Sequence, residues 1–256
     1  MNRISLFGIT IDPLKQTEAV ARLSDWTQQD RAGRCRFVVT PNVDHTRLLN
    51  ENEGLREAYA SADLVLADGM PVVLASRLLR KPLPERVTGA DLVPALFAAA
   101  SSPRLMTAFL LGAGPGVAER AKVAIETRWP AVKVTGVYSP PIGFEKNSKE
   151  NEAILQRIAD VRPDVLVVGL GAPKQELWVH RFQERIEAKI ALCVGATIDF
   201  LAGEKRRAPL WMQKIGLEWC HRMMTEPKRL FRRYLHDAWV FPQLVYREWR
   251  AKPASR

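Results

Sequence analysis

Across the first two hundred residues, short apolar, β-branched runs alternate with stretches of helical periodicity. The runs at 37–40, 63–67, 106–112, 132–137, 164–169 and 190–195 read as strands, and the intervening 43–59, 71–79, 90–100, 116–128, 148–161 and 174–188 read as helices. Strict alternation of the two predicts a parallel sheet joined by helical crossovers. The expected class is therefore α/β, a Rossmann-like parallel sheet with helices on both faces. No internal repeat or low-complexity stretch occurs. After Ala196 the pattern turns helical: Trp211, Ile215, Trp219 and Met223 recur every four residues and give a first tail helix one apolar face, ended by the Glu226-Pro227 step. In a second helix Leu230, Phe231, Tyr234, Leu235 and Ala238 fall on one side and Arg229, Arg232, Arg233 and His236 on the other, until Pro242 interrupts. A boundary near Gly203 then separates a core, 1–203, from a helical appendage, 204–256.

Charge sharpens this division. The net charge of +10 is concentrated from Lys205 onward, where thirteen basic residues face Glu218, Glu226, Asp237 and Glu248, so the body is close to neutral and the tail cationic. Four of the seven tryptophans (Trp211, Trp219, Trp239, Trp249) lie in that tail, a pairing of aromatics and cations that suits an anionic membrane surface. The other expectation is a tail packed on the body with its arginines solvated. No run approaches the roughly 18 apolar residues a spanning helix needs, and the N-terminal apolar run is too short for a signal peptide. Cys35, Cys193 and Cys220 have neither disulfide nor zinc-ligand spacing, which fits a reducing compartment.

Ligands of parallel sheets bind beyond the carboxyl ends of the strands, and those ends are polar here. They read Thr40-Pro41-Asn42, Asp68-Gly69, Gly112-Ala113-Gly114-Pro115-Gly116, Gly169-Leu170-Gly171-Ala172-Pro173-Lys174-Gln175 and Gly195-Ala196-Thr197-Ile198-Asp199. Glycines between a strand and a helix let N–H groups approach phosphate oxygens at a helix N-terminus; two such turns suit a diphosphate, although either also serves as a plain tight turn. Lys174 would neutralise a leaving phosphate or remain solvated, and Gln175 would bond a sugar hydroxyl. Asp68 is placed either to accept a proton from an attacking hydroxyl or to cap the next helix. Thr40 orients a substrate or steadies its turn, and Asp199 accepts from uracil or ribose or caps a loop. His45 and His180 read as helix-surface residues. No Asp-x-Asp pair occurs, so no obligatory metal and no cofactor are expected.

Two other classes fit less. A nicotinamide enzyme needs an acidic residue at the end of the strand after the glycine turn, where Val137-Tyr138-Ser139 stands. A nucleic-acid binder would use the basic, aromatic tail but leaves Asp68 and the polar strand ends without a role; no nucleic acid is expected.

Read together, TPNVDH, ADGMPVV, RVTGADL, VVGLGAPKQELW, VGATIDFLAGEKRRAPLWMQKIGLEW and EPKRLFRRYL, in order over about residues 40–235, resemble the WecG/TagA/CpsF glycosyltransferase family. The resemblance implies an inverting, metal-independent enzyme on the cytoplasmic face of the bacterial inner membrane. It would move a hexose, N-acetylhexosamine or uronic acid from a UDP-sugar to a polyprenyl-diphosphate-linked saccharide. It further implies Asp68 as base, Thr40 and Gln175 in the active site, Arg86 in the pocket and Asp199 at the nucleotide. Asn42, Gly112, Gly114, Gly169, Gly171, Pro173 and Lys174 would line the UDP side, with Arg222, Arg229 and Arg232 closing over the diphosphate. Where the family form is often TPNPEH, this chain has Val43 and Asp44. Oligomeric state stays open, a homo-oligomer included.

Overall fold

The computed structural model describes residues 3–31, 33–101 and 104–251, with all their side chains except those of Lys214 and Arg229. Strands β1 (Ile4–Leu6) and β2 (Ile9–Ile11) form an antiparallel hairpin, followed by α1 (Gln16–Gln28), β3 (Arg36–Val39), α2 (Val43–Glu51), α3 (Glu53–Ser61), β4 (Leu64–Val65), α4 (Met70–Leu78) and α5 (Gly89–Ala98). Then come β5 (Met106–Gly112), α6 (Val117–Arg128), β6 (Val132–Tyr138), a short 3-10 turn Phe144–Lys146, α7 (Ser148–Val161), β7 (Val165–Gly169), α8 (Lys174–Phe182) and β8 (Ile190–Cys193). Four helices close the chain: α9 (Thr197–Leu201), α10 (Leu210–Lys214), α11 (Glu218–Thr225) and α12 (Pro227–Arg250).

Six strands make one parallel sheet in the order β4-β3-β8-β7-β5-β6. Its central strands are apolar on both faces, as a doubly covered parallel sheet requires. Phe37, Val39, Phe109, Leu111, Leu166 and Val168 point to one core with Leu49, Leu55, Tyr59, Ile154 and Trp178 of α2, α3, α7 and α8. Their neighbours Val38, Ala108, Leu110, Val165 and Val167 point to a second core with Leu23, Leu92, Leu96, Ala121 and Ile125 of α1, α5 and α6. The chain leaves β5 toward β6 but leaves β7 toward β8, so the connections from these two adjacent strands run in opposite directions and leave a crevice between them beyond the strand ends.

Several elements differ from the sequence reading. The hairpin and α1 were not anticipated; Phe7 and Gly8 both take positive φ, the geometry of a two-residue hairpin turn, and Asp12 fastens the hairpin to β4 through bonds to both Val65 groups. The expected helix over 43–59 is two helices, because the Asn52 side chain accepts the Leu55 N–H and starts a new one. The helix expected to reach 188 ends at Phe182. The single first tail helix is also two: Gly216 takes φ +80°, and a Cβ there would lie 2.8 Å from the Met70 Cβ, so the chain turns on glycine at its closest approach to α4.

Pro242 does not interrupt α12, which runs on to Arg250, and its apolar residues occupy two faces rather than one. Leu230 and Leu244 are buried, and Val240, Phe241 and Val245 pack on the first core, with the Phe241 ring 5.4 Å from that of Phe7. Between them Arg233 and Asp237 also turn inward, onto Asp44 at 3.2 Å and Arg47 at 3.5 Å of α2. Phe231, Leu235, Trp239, Tyr246 and Trp249 are left exposed, at spacings of three, four or seven residues and hence along one outward stripe. Among the described residues no helix is long and apolar enough to cross a membrane.

At the bulge between Ala108 and Phe109, Gly136 of β6 faces the Phe109 ring, where a Cβ would stand 2.5 Å from Cε2. Gly136→Ala is expected to lower stability by about 1–3 kcal/mol, read as a lower urea midpoint at an unchanged m-value.

Candidate functional site

The carboxyl ends of β5 and β7 approach their neighbours so closely that glycine is required at each. A Cβ on Gly112 would lie 2.5 Å from the Gly169 carbonyl oxygen, and one on Gly169 would lie 2.9 Å from that of Gly195. Past this row the chain opens into two turns. The first passes through Gly112 and Ala113, both at positive φ, to Gly116, which caps α6 in the left-handed region. The Ser139 hydroxyl at the end of β6 holds this turn by donating to the Gly112 and Gly114 carbonyls at 3.1 and 3.3 Å. The second turn passes through Gly171 and the cis-bonded Pro173 into α8. The N–H groups of Gly114, Gly116 and Gly171 have no protein acceptor among the described residues, which leaves them to a ligand or solvent at two neighbouring helix N-termini.

Beside these turns lie the ends of β3 and β4. The Thr40 hydroxyl donates to the Cys193 carbonyl at 3.3 Å, joining β3 to β8. Asn42 caps α2, its Oδ1 accepting the Asp44 N–H at 3.1 Å; the helix-start role is thus the one its side chain fills. The Asp68 N–H donates to the Pro41 carbonyl at 2.8 Å, which ties the two strand ends together. Gly69, not Asp68, is the N-cap of α4, and the Asp68 carboxylate makes no capping bond. Its charged neighbours are Glu218, Arg86, His45 and Arg222. Desolvation by the surrounding protein and then the Glu218 carboxylate push its pKa up to about 6, against the opposing pull of Arg86, His45 and Arg222.

Arg86 donates to Glu218 at 2.8 Å and lies 3.6 Å from Asp91. Arg207, which the sequence reading did not single out, grips Asp91 through both terminal nitrogens and reaches Glu218 at 3.3 Å. Burial disfavours charge on both Arg207 and Asp91, and their mutual bonds outweigh it, holding the Asp91 carboxyl below its ordinary range. The only sequence signal for Arg207 was its place in the long EKRRAPLW stretch, with nothing to distinguish it from Arg206. Arg222 is drawn into the site, its Nε buried without a hydrogen-bond partner. Arg232 stands exposed on α12 with no ion pair among the described residues, and the Arg229 side chain lies outside them.

Further candidate residues have partners within the protein. Gln175 is buried, with its Oε1 accepting the Gly195 N–H at 3.1 Å and its amide donating to Glu176 at 2.7 Å, so it braces the turns after β7 and β8. Lys174 leans toward Glu145 at 3.7 Å and Asp199 toward Lys205 at 3.8 Å. Neither histidine is an ordinary surface residue. His45 is buried, its Nδ1 accepting the Asn42 N–H and its Nε2 lying 3.4 Å from the fully buried Glu176, while His180 bonds the Ser61 hydroxyl at 2.7 Å. Among the described residues no three His, Cys, Asp or Glu side chains gather as a metal-binding set.

An α/β sheet with paired glycine turns and a carboxylate at its crevice defines a broad class of ligand-binding enzymes; comparison narrows it. Residues 4–255 match the profile described as glycosyl transferase WecG/TagA/CpsF family. The chain belongs to that family and is a glycosyltransferase. It is 29% identical over 230 residues to an N-acetylglucosaminyldiphosphoundecaprenol N-acetyl-β-D-mannosaminyltransferase of Staphylococcus aureus (strain MRSA252), covering 90% of this chain and 87% of the relative. It is 28% identical, with the same coverage, to the protein of that name from strain NCTC 8325 / PS 47.

Gln175→Ala leaves the Gly195 N–H and the buried Glu176 carboxylate each short of a partner. It is expected to reduce stability by about 1–3 kcal/mol, visible as a lowered thermal midpoint, a loss that a purely substrate-binding glutamine would not produce.

Proposed function

We propose that the protein transfers a sugar, of the N-acetylmannosamine type suggested by its Staphylococcus aureus relatives, from a UDP-sugar to a polyprenyl-diphosphate-linked saccharide, with inversion at the anomeric carbon. The observation that carries this reading is the Asp68 carboxylate: it stands in the segment between β4 and α4 without capping the helix, lies among Arg86, His45, Glu218 and Arg222, and has its proton affinity raised toward the range useful to a base near neutrality. The acceptor hydroxyl gives its proton to Asp68 as it attacks, and the carbon–oxygen bond to the diphosphate breaks on the opposite face. Negative charge then builds on the departing UDP. The free N–H groups of the two glycine turns and the arginines at the crevice, Arg222 first among them, supply the stabilisation. The sugar ring takes on oxocarbenium character, as in glycoside hydrolysis.

The acceptor's lipid explains the tail. The outward stripe of α12, with Phe231, Leu235, Trp239, Tyr246 and Trp249 exposed, sits among Lys228, Arg232, Arg247 and Arg250. Such a helix lies in the plane of an anionic interface, each nearby cation adding about 1 kcal/mol of attraction. We place the enzyme peripherally on the cytoplasmic leaflet, where its acceptor is held.

The test is acceptor-dependent UDP release from UDP-N-acetylmannosamine with polyprenyl-diphosphate N-acetylglucosamine, which is expected to proceed without added divalent metal. Asp68→Asn should reduce it by at least about a thousandfold; a variant retaining full turnover would remove Asp68 from the chemistry. Because the base must be ionised, activity should rise as pH increases through about 6 and be lost below it. On vesicles containing anionic lipid, flotation should recover the protein at low salt, and Trp239→Glu with Trp249→Glu should abolish recovery; equal recovery on neutral vesicles would contradict the electrostatic part.

A further inference from the structure

We propose that Glu218 is a positioning residue of the transfer site: its carboxylate clasps Arg86 and Arg207, seats α11 and with it Arg222 over Asp68, and offsets the positive charge those arginines bring. This rests on the reading of Asp68 as the base.

The geometry behind it is a bridge between core and tail. One Glu218 oxygen accepts from Arg86 at 2.8 Å and the other from Arg207 at 3.3 Å. All three side chains are largely withdrawn from water, at 17%, 14% and 22% exposure, so the contacts are worth more than a solvated surface pair and their loss leaves charges stranded. Arg86 is itself fixed to the sheet, since the next residue, Val87, donates its N–H to the Ala67 carbonyl, one residue before Asp68. Arg207 is fixed through Asp91 and Thr88 at the start of α5. Glu218 thus joins the first turn of α11 to Arg86 on the core and to Arg207, a tail residue itself anchored on the core through Asp91 and Thr88, and Arg222, one turn further along α11, is carried to Asp68. An acid in the first turn of a helix is favoured by the helix dipole alone. That bland role asks for no partner outside the helix, whereas this carboxylate has two.

Charge balance gives the arrangement a chemical purpose. The charged groups facing Asp68 are Arg86 from the loop before α5, His45 from α2, and Glu218 and Arg222 from α11, with the Tyr59 hydroxyl behind. With only the cations present, less would oppose their pull on Asp68, and its carboxylate would be a weaker proton acceptor. Glu218 lets the arginines needed for a departing diphosphate stand next to the base without disabling it.

The test follows Asp68 directly in the full-length protein carrying ¹³C-carboxyl aspartate, its resonance assigned by disappearance in Asp68→Asn. Glu218→Gln is expected to move the Asp68 titration midpoint down by roughly one pH unit or more, and the acidic limb of kcat down with it. Glu218→Asp, which keeps the charge, should restore both. Arg207→Met, which deprives Glu218 of one of its two cations, should move the midpoint up, so the idea remains exposed even if one variant does not fold. A midpoint unchanged in Glu218→Gln, or moved in the same direction by Arg207→Met, overturns the proposal whatever happens to turnover. If the midpoints shift as stated while the wild-type protein transfers no sugar, the coupling of Glu218 to Asp68 stands and the proposed reaction is what fails.

Discussion

Three neighbouring strands of the sheet end where backbone lies against backbone. Gly112 abuts the Gly169 carbonyl and Gly169 abuts the Gly195 carbonyl, at distances no Cβ tolerates, and the turns that follow are therefore drawn to one line. A single methyl group at either of the first two positions would force the strands apart and separate the turns. What lies beyond depends on that approach: the free N–H groups at two helix starts, the Gln175 amide spanning from one turn to the next, and Thr40 tying the neighbouring strand to the same edge.

Onto this rigid line the chain places charges that would be unstable separately. Asp68 is surrounded by protein and has no neutralising partner of its own; it has instead a set of cations partly cancelled by a second carboxylate. The cations divide between core and tail, Arg86 on one side and Arg207 and Arg222 on the other, so the site is complete only when the tail is in place. The tail helix α12 reflects the same double duty. Its inward face alternates Leu230 and Leu244 with an ionic patch shared with Asp44 and Arg47, and burial together with Asp44 raises the proton affinity of Asp237 there. Its outward face is an apolar stripe that no described residue covers, as a surface docking on lipid requires.

The parallel sheet was legible because its strands are continuous apolar runs bounded by glycine and proline; the span of β5 and that of α7 emerge with the bounds their periodicity predicted. The hairpin was not, since three-residue strands are too short to show alternation, though the Phe7-Gly8 step between isoleucines was the available signal. Period-four spacing in the tail misled for a physical reason: Trp211, Ile215 and Trp219 keep the spacing of one helix while Gly216 breaks the backbone between them. Candidate residues at strand ends were found at the crevice because topology alone puts them there. Which ones face inward was not written in the pattern: Gln175 and His45 are buried braces, and Arg207 and Glu218 owe their place to contacts between segments more than a hundred residues apart.

The proposed transfer depends on a diphosphate lying on the glycine turns with the Asp68 carboxylate open to the sugar it carries. A crystal structure with UDP and an acceptor-head analogue measures this directly. The account predicts diphosphate oxygens within hydrogen-bond distance of the Gly114, Gly116 or Gly171 N–H groups and the acceptor hydroxyl within about 3.2 Å of an Asp68 oxygen. A nucleotide seated elsewhere, or an Asp68 side chain turned onto the first turn of α4 with ligand bound, would contradict it.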